Sequence, residues 1–185
     1  MPILAAEKSL FPDDLLENSS KPAADHNWWV VYTRSRQEKA LARHLVANEI
    51  PFYLPLVSKK TLIRGGHVDV HAPLFANYVF MYGSQDDHYC SLKSNRISRI
   101  LPVHEPERLC VDLLRLRRLI ETEAPVTLES RLSAGRAVRV RSGAFAGAEG
   151  TVISRRGKTR LVVEVNFLQQ GASIEIDDYL LEPLD

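Results

Sequence analysis

The chain has 185 residues, of which 45% are hydrophobic and 25% charged, and a formal net charge of +1. Those values suit one large or two small globular domains and exclude a strongly basic wrapper of nucleic acid. Two cysteines, Cys90 and Cys110, exclude a disulfide framework. No CxxC pairing points to zinc, no run reaches the roughly 18 apolar residues of a membrane span, and no secretory start is visible, so a cytoplasmic, non-membrane protein is expected.

Charge is unevenly spread. Residues 1–26 are net −3, residues 27–124 net +4, and the remainder neutral. Residues 1–26 mix Pro, Ser, Asp and Ala and read as a disordered tail, with one apolar cluster at Leu10-Phe11 and Leu15-Leu16. Order begins at Trp28-Trp29-Val30-Val31-Tyr32-Thr33, whose aromatic and β-branched residues predict a strand. Ser35 with Glu38 three residues on has the pattern of a capping box, and Leu41 and Leu45 form one apolar stripe of a helix that Pro51 ends. Strands follow at 52–57 and 60–63, a hairpin tip at Arg64-Gly65-Gly66, a return strand at 67–71, and a strongly aromatic strand from Leu74 to Tyr82. A short helix over 86–93 opens with Asp86 and Asp87, which suit its positive end. A strand over 97–103 leads to a helix from Pro106 to Glu123, with Leu109, Leu113, Leu116 and Ile120 at helical spacing.

Residues 125–132 contain Pro125, lack periodicity and read as a linker. Five short strands follow, at 137–141, 151–154, 161–165, 172–176 and 179–181, and predict a small closed barrel. Between the first two of these, Ser142-Gly143-Ala144-Phe145-Ala146-Gly147-Ala148-Glu149-Gly150 holds three glycines and one large apolar ring. Such spacing predicts a tight, shaped turn.

That glycine-rich segment resembles a KOW motif. The run Trp28–Tyr32, the helix after it, Arg64-Gly65-Gly66 and Pro73-Leu74-Phe75-Ala76-Asn77-Tyr78-Val79-Phe80 resemble the N-terminal domain of NusG-family transcription elongation factors. The resemblance spans roughly residues 28–185. It implies an α+β fold: a tail over 1–26, an NGN sandwich over 27–124 in which helices flank an antiparallel sheet, a linker over 125–132, and an SH3-like five-stranded KOW β-barrel over 133–185. Ala76-Asn77 stands where housekeeping NusG usually carries Pro-Gly, and Asn here is similar to RfaH-type specialised antiterminators. Ala72 replaces the carboxylate that pins the two domains of RfaH-type members together.

The resemblance implies that Tyr32, Phe75, Tyr78, Phe80 and His88 bind RNA polymerase, the aromatics gripping the helical clamp of its largest subunit. It further implies that Arg34, Arg43, His44 and Arg96 face upstream or non-template DNA, and that Phe145 contacts a small-subunit ribosomal protein or Rho. Between Arg34 and Arg64 seven basic residues stand against two acidic ones, a local patch that suits contact with a phosphate backbone at one edge. The expected function is transcription elongation and antitermination. The alternatives are a housekeeping factor coupled to Rho and a translation-associated RNA-binding KOW protein. Nothing in the chain has the pattern of a nucleophile with its base, a phosphate loop or a metal set, so no catalysis and no cofactor are expected.

Overall fold

The computed structural model describes residues 7–19, 23–63, 66–131 and 135–184. The chain divides into two compact units, Met1–Glu107 and Arg108–Asp185.

In the first unit, β1 (Leu10–Phe11), α1 (Leu15–Asn18), β2 (Asn27–Thr33), α2 (Glu38–Ala47), β3 (Phe52–Tyr53), β4 (Leu56–Ile63), β5 (Gly66–Pro73), β6 (Tyr78–Gly83), α3 (Gln85–Leu92) and β7 (Ile97–Pro102) follow in order. Five of the strands form an antiparallel sheet in the order β1-β3-β6-β2-β7. β4 and β5 pair only with each other among the described residues. The expected tip Arg64-Gly65 lies outside the described residues. Side chains alternate across the sheet. Val31, Val79, Met81 and Phe52 point to one side and form a core with Leu41, Ala42 and Leu45 of α2. Trp28, Val30, Tyr53 and Phe80 point to the other side and are also buried.

The N-terminal segment accounts for part of that second cover and corrects the expectation of a disordered tail. β1 extends the sheet by pairing with β3. Leu10, Leu15 and Leu16 are buried. The Trp28 Nε1–H donates to the Ser19 carbonyl at 3.3 Å, and the Ala23 N–H donates to the Tyr82 hydroxyl at 3.1 Å. Four apolar residues among polar ones suffice here because a sheet edge and an aromatic face already wait for them.

α2 starts later than expected. Ser35 does not cap it: Arg36 adopts a left-handed φ of 59°, and Gln37 holds the N-cap position without a side-chain bond. Glu38 is buried, and its Oε1 accepts the Asn77 N–H at 2.7 Å. The strand expected from Leu74 begins only at Tyr78. Before it, Phe75 to Tyr78 form a turn closed by the Tyr78 N–H on the Phe75 carbonyl at 3.3 Å, with Asn77 at φ 68°. Asparagine is among the few residues that tolerate this region, which explains how it stands in for glycine. α3 carries a capping box: the Ser84 hydroxyl accepts the Asp87 N–H and the Asp87 carboxylate accepts the Ser84 N–H.

The unit boundary falls in the first turn of α4 (Pro106–Glu121), not after it. The second unit therefore comprises most of α4 with β8 (Thr127–Glu129), β9 (Arg136–Val140), β10 (Glu149–Arg155), β11 (Lys158–Val165), β12 (Gln170–Glu175) and β13 (Leu181–Pro183). Two polar ties explain why the helix belongs here. The buried Asp112 carboxylate accepts the Asn166 N–H at 3.0 Å and its side-chain amide at 3.2 Å. The Arg115 guanidinium donates to Glu149 at 2.6 Å.

The strands form one antiparallel sheet in the order β13-β9-β10-β11-β12-β8. It has six strands, not five, because part of the expected linker is β8, paired with β12. The last expected strand, 179–181, is instead a 3-10 turn over Asp178–Leu180 that leads into β13. Val138, Val140, Leu161, Val163, Ala172 and Ile174 make the core on one side. On the other, the buried Glu129 accepts the Ser173 hydroxyl at 2.6 Å and pairs with Arg155 at 3.1 Å. At Gly150 a methyl group would collide with the Val162 carbonyl oxygen, so the close approach of β10 to β11 demands glycine.

Replacing Leu16 with Ala removes a fully buried side chain and should cost about 2–5 kcal/mol in urea denaturation. A loss below about 0.5 kcal/mol, the size of an ordinary surface change, would restore the disordered-tail reading. Glu38→Ala should cost about 1–3 kcal/mol by orphaning the Asn77 N–H, and hydrogen exchange at that amide should speed up selectively.

Candidate polymerase and nucleic-acid interface

β2 and β6 place Tyr32 directly opposite Tyr78, and their rings meet edge to face with centroids 5.1 Å apart. Both are half-buried. The edge contact holds each ring in one orientation, worth about 0.5–1.5 kcal/mol, and so lowers the ordering cost of any docking there. Arg99 of β7 lies opposite Tyr32 on the far side and is exposed.

Phe75 and Phe80 correct the expectation. They are 1% and 0% exposed and pack against each other edge to face at 6.4 Å. Both are sealed in the interior and offer no surface. Strand alternation assigned Phe80 to the same side as Tyr78, but the pattern does not reveal whether a side is covered.

His88 lies elsewhere. Its ring stacks on Trp29 at 4.7 Å, and Trp29 points to the α2 side of the sheet, opposite Tyr32 and Tyr78. Partial burial holds the His88 pKa below the usual histidine value and favours a neutral ring. Gln85 lies 3.3 Å from its Nδ1. The residues expected to face polymerase thus divide between opposite sides of one sheet.

The four basic candidates also divide. Arg34 and Arg96 come together where two loops meet: the Arg34 N–H donates to the Arg96 carbonyl at 2.8 Å. The Arg34 guanidinium donates to the Asn95 amide oxygen at 3.1 Å, and that of Arg96 donates to the Gln37 amide oxygen. Both partners are neutral amides, so each guanidinium is oriented without a carboxylate at these bonds. Arg43, by contrast, is ion-paired with Glu7. His44 is half-buried, its Nε2 lies 3.2 Å from the Cys90 carbonyl oxygen, and it ties α2 to α3. Asn95, at φ 57°, and Gln37 were missed as orienting residues. The asparagine before Arg96 was the available signal, since asparagine is enriched in left-handed conformations.

In the second unit, Phe145 sits half-buried in the loop between β9 and β10. The Gly147 N–H donates to the Val140 carbonyl at 2.8 Å, and the Ala148 N–H to the Phe145 carbonyl at 2.9 Å, which fix the loop. Gly147 takes a φ of 82°, closed to most side chains. Among the described residues no three His, Cys, Asp or Glu side chains could hold a metal ion, and no helix is long and apolar enough to cross a membrane.

Comparison with known proteins gives a similarity for part of the chain. Residues 26–111 match the family model described as transcription termination factor nusG. No curated protein sequence matches the chain. One similar solved structure, "Domain interaction in Thermotoga maritima NusG", is 18% identical over 86% of this chain and 98% of that one, with a TM-score of 0.44. Another, "Crystal Structure of MjSpt4:Spt5 complex conformation B", is 16% identical over 85% of this chain and 97% of that one, with a TM-score of 0.29. Those superpositions are too low to add weight, and the similarity rests on residues 26–111. The segment 26–111, which carries Tyr32, Tyr78, Arg34, Arg96 and His88, is similar to the family described as transcription termination factor nusG.

Proposed function

We propose that this chain is a transcription elongation and antitermination factor that grips RNA polymerase through Tyr32 and Tyr78. The observation that carries the reading is the pre-formed tyrosine pair, half-exposed beside a sealed aromatic core, within the segment that matches the family. Aromatic rings with one accessible edge are typical anchors for a helix pair, here the clamp of the largest subunit. His88, on the other side of the sheet, serves the opposing lobe. Arg34 and Arg96 hold upstream or non-template DNA. A protein that binds both lobes of the polymerase favours the closed, active state over the open states that precede pausing, which is a population shift. The half-buried Phe145 supports the second unit as the tether, reaching a small-subunit ribosomal protein or Rho. Asn77, in the left-handed turn before Tyr78, supports an RfaH-type specialisation.

The family model's own description as a termination factor favours a second reading, a housekeeping factor that assists Rho. Transcription in vitro across a Rho-dependent terminator separates the two: added protein increases readthrough if it is an antiterminator and decreases it if it helps Rho.

Tyr78→Ala should weaken retention on polymerase by at least 2 kcal/mol, the scale of an interface hot spot, with an unchanged circular-dichroism spectrum. Retention at wild-type strength would dismiss the tyrosine surface. Arg96→Ala should weaken DNA binding and flatten its salt dependence by about one unit of slope, as expected for one lost phosphate contact. Arg43→Ala should leave the slope nearly unchanged, because Glu7 already neutralises that guanidinium. Equal effects from the two variants would show that carboxylate pairing does not select the DNA contacts.

A further inference from the structure

One face of α4 has no complete cover within its own unit. Val111, Leu114, Arg115, Arg118, Leu119 and Thr122 recur at helical spacing and form a stripe that faces the Gly143–Ala148 loop. Between stripe and loop lie two cavities of about 290 and 240 Å³ that share Arg118, Gly147 and Ala148. The loop wall is made of Ala144, Phe145, Ala146 and Ala148. Val111 remains 43% exposed at the open end.

We propose that this cleft takes a short peptide segment of a partner protein in which an acidic side chain lies next to a large apolar one, with Arg118 as the anchor for the carboxylate. The proposal rests on the reading of the Phe145 loop as the docking end of the second unit, and it names the chemistry of the occupant and a contribution from α4. Three observations select that occupant. The space is split into two adjoining cavities of about 290 and 240 Å³ rather than one deep pocket, which suits neighbouring side chains of a peptide. The walls are apolar apart from Thr122 and the charged Arg115, Arg118 and Glu149, which suits Leu, Ile or Phe. The rim charge is positive: Glu149 is consumed by Arg115 at 2.6 Å and by Arg139 at 2.6 Å, and these partners hold its pKa below the usual carboxylate range. Arg118 is exposed and has no ion pair among the described residues. A carboxylate reaching it gains a charge-assisted bond that can be bidentate. A nucleic-acid backbone is a poorer fit, since one free guanidinium between apolar walls would neutralise a single phosphate and leave the apolar stripe unused.

The test pans a library of random short peptides displayed on phage against the full chain. The most enriched sequence is then titrated as a fluorescein-labelled peptide by anisotropy. Enriched sequences should place Asp or Glu beside Leu, Ile or Phe. Arg118→Glu should weaken the peptide at least tenfold, and exchanging the peptide's acid for Lys should restore binding to that variant. Arg118→Lys should retain most of the affinity, and unchanged thermal melts show that the variants fold. Enrichment without acidic residues, no enrichment, or binding indifferent to Arg118→Glu would overturn the proposal. Phe145→Ala separates the two layers: if it abolishes binding while Arg118→Glu does not, the loop remains the docking end and only the α4 anchor falls.

Discussion

The buried carboxylate of Glu38 holds the first unit's working parts in register. It sits at the start of α2, on the helix-covered side of the sheet, yet its Oε1 accepts the backbone N–H of Asn77 in the turn that launches β6. The same turn is tied from the other side, because the Thr33 N–H donates to the Asn77 carbonyl at 2.8 Å. Tyr78 follows directly, and Tyr32 precedes Thr33. One residue in a left-handed conformation, held through both its amide and its carbonyl, therefore fixes the spacing of the two tyrosines. A buried charged acceptor is costly to leave unpaired and strong when paired, so this turn has little freedom to drift.

Around that turn the surface is sorted by partner chemistry. The apolar contribution is small, two half-exposed rings, because Phe75 and Phe80 are buried. The cationic contribution is selective. Of the four basic candidates, Arg34 and Arg96 are oriented by neutral amide oxygens, Arg43 is neutralised by a carboxylate, and His44 bridges two helices. A guanidinium held by an amide is already positioned for phosphate, whereas one held by a carboxylate must first lose that partner. Sorting by partner identity separates residues that look equivalent when only their type and spacing are known.

Much of the architecture was legible in the residues. Trp28–Thr33 is an interior strand, paired with β6 and β7, because aromatic and β-branched side chains suit a sheet covered on both sides, and the glycines flanking Phe145 do mark a shaped turn with positive φ at 143 and 147. What was not legible depends on pairing across long sequence distances. β8 is three residues long, too short for periodicity, and exists because Leu128 meets Ala172. The N-terminal segment is polar in composition and ordered by a sheet edge it could not announce. The capping-box pattern at Ser35 was locally plausible, but Glu38 found a buried N–H from a distant turn and left Ser35 without its partner. The candidate site followed the same rule: the strand positions of Tyr32 and Tyr78 were legible from residue type, whereas the burial of Phe75 and Phe80 needed the tertiary cover.

The second unit shows the same economy under tighter limits of size. A sheet of short strands needs cover on the side away from its core. Here part of that side is filled by polar side chains bonded to one another: Glu129 with Ser173 and Arg155, and Arg160 with Ser173 at 2.9 Å and Thr127 at 2.9 Å. Removing one member would strand a buried charge, so the network resists substitution even though a fully apolar replacement could be as stable. α4 is attached by two polar points, Asp112 to Asn166 and Arg115 to Glu149. These ties add to the burial of Leu109, Leu113, Leu116 and Leu119 on one side of the helix, and the side that carries Val111 and Arg118 keeps an open cleft beside the Phe145 loop. A closer apolar fit would bury Val111 and close the space that Arg118 overlooks.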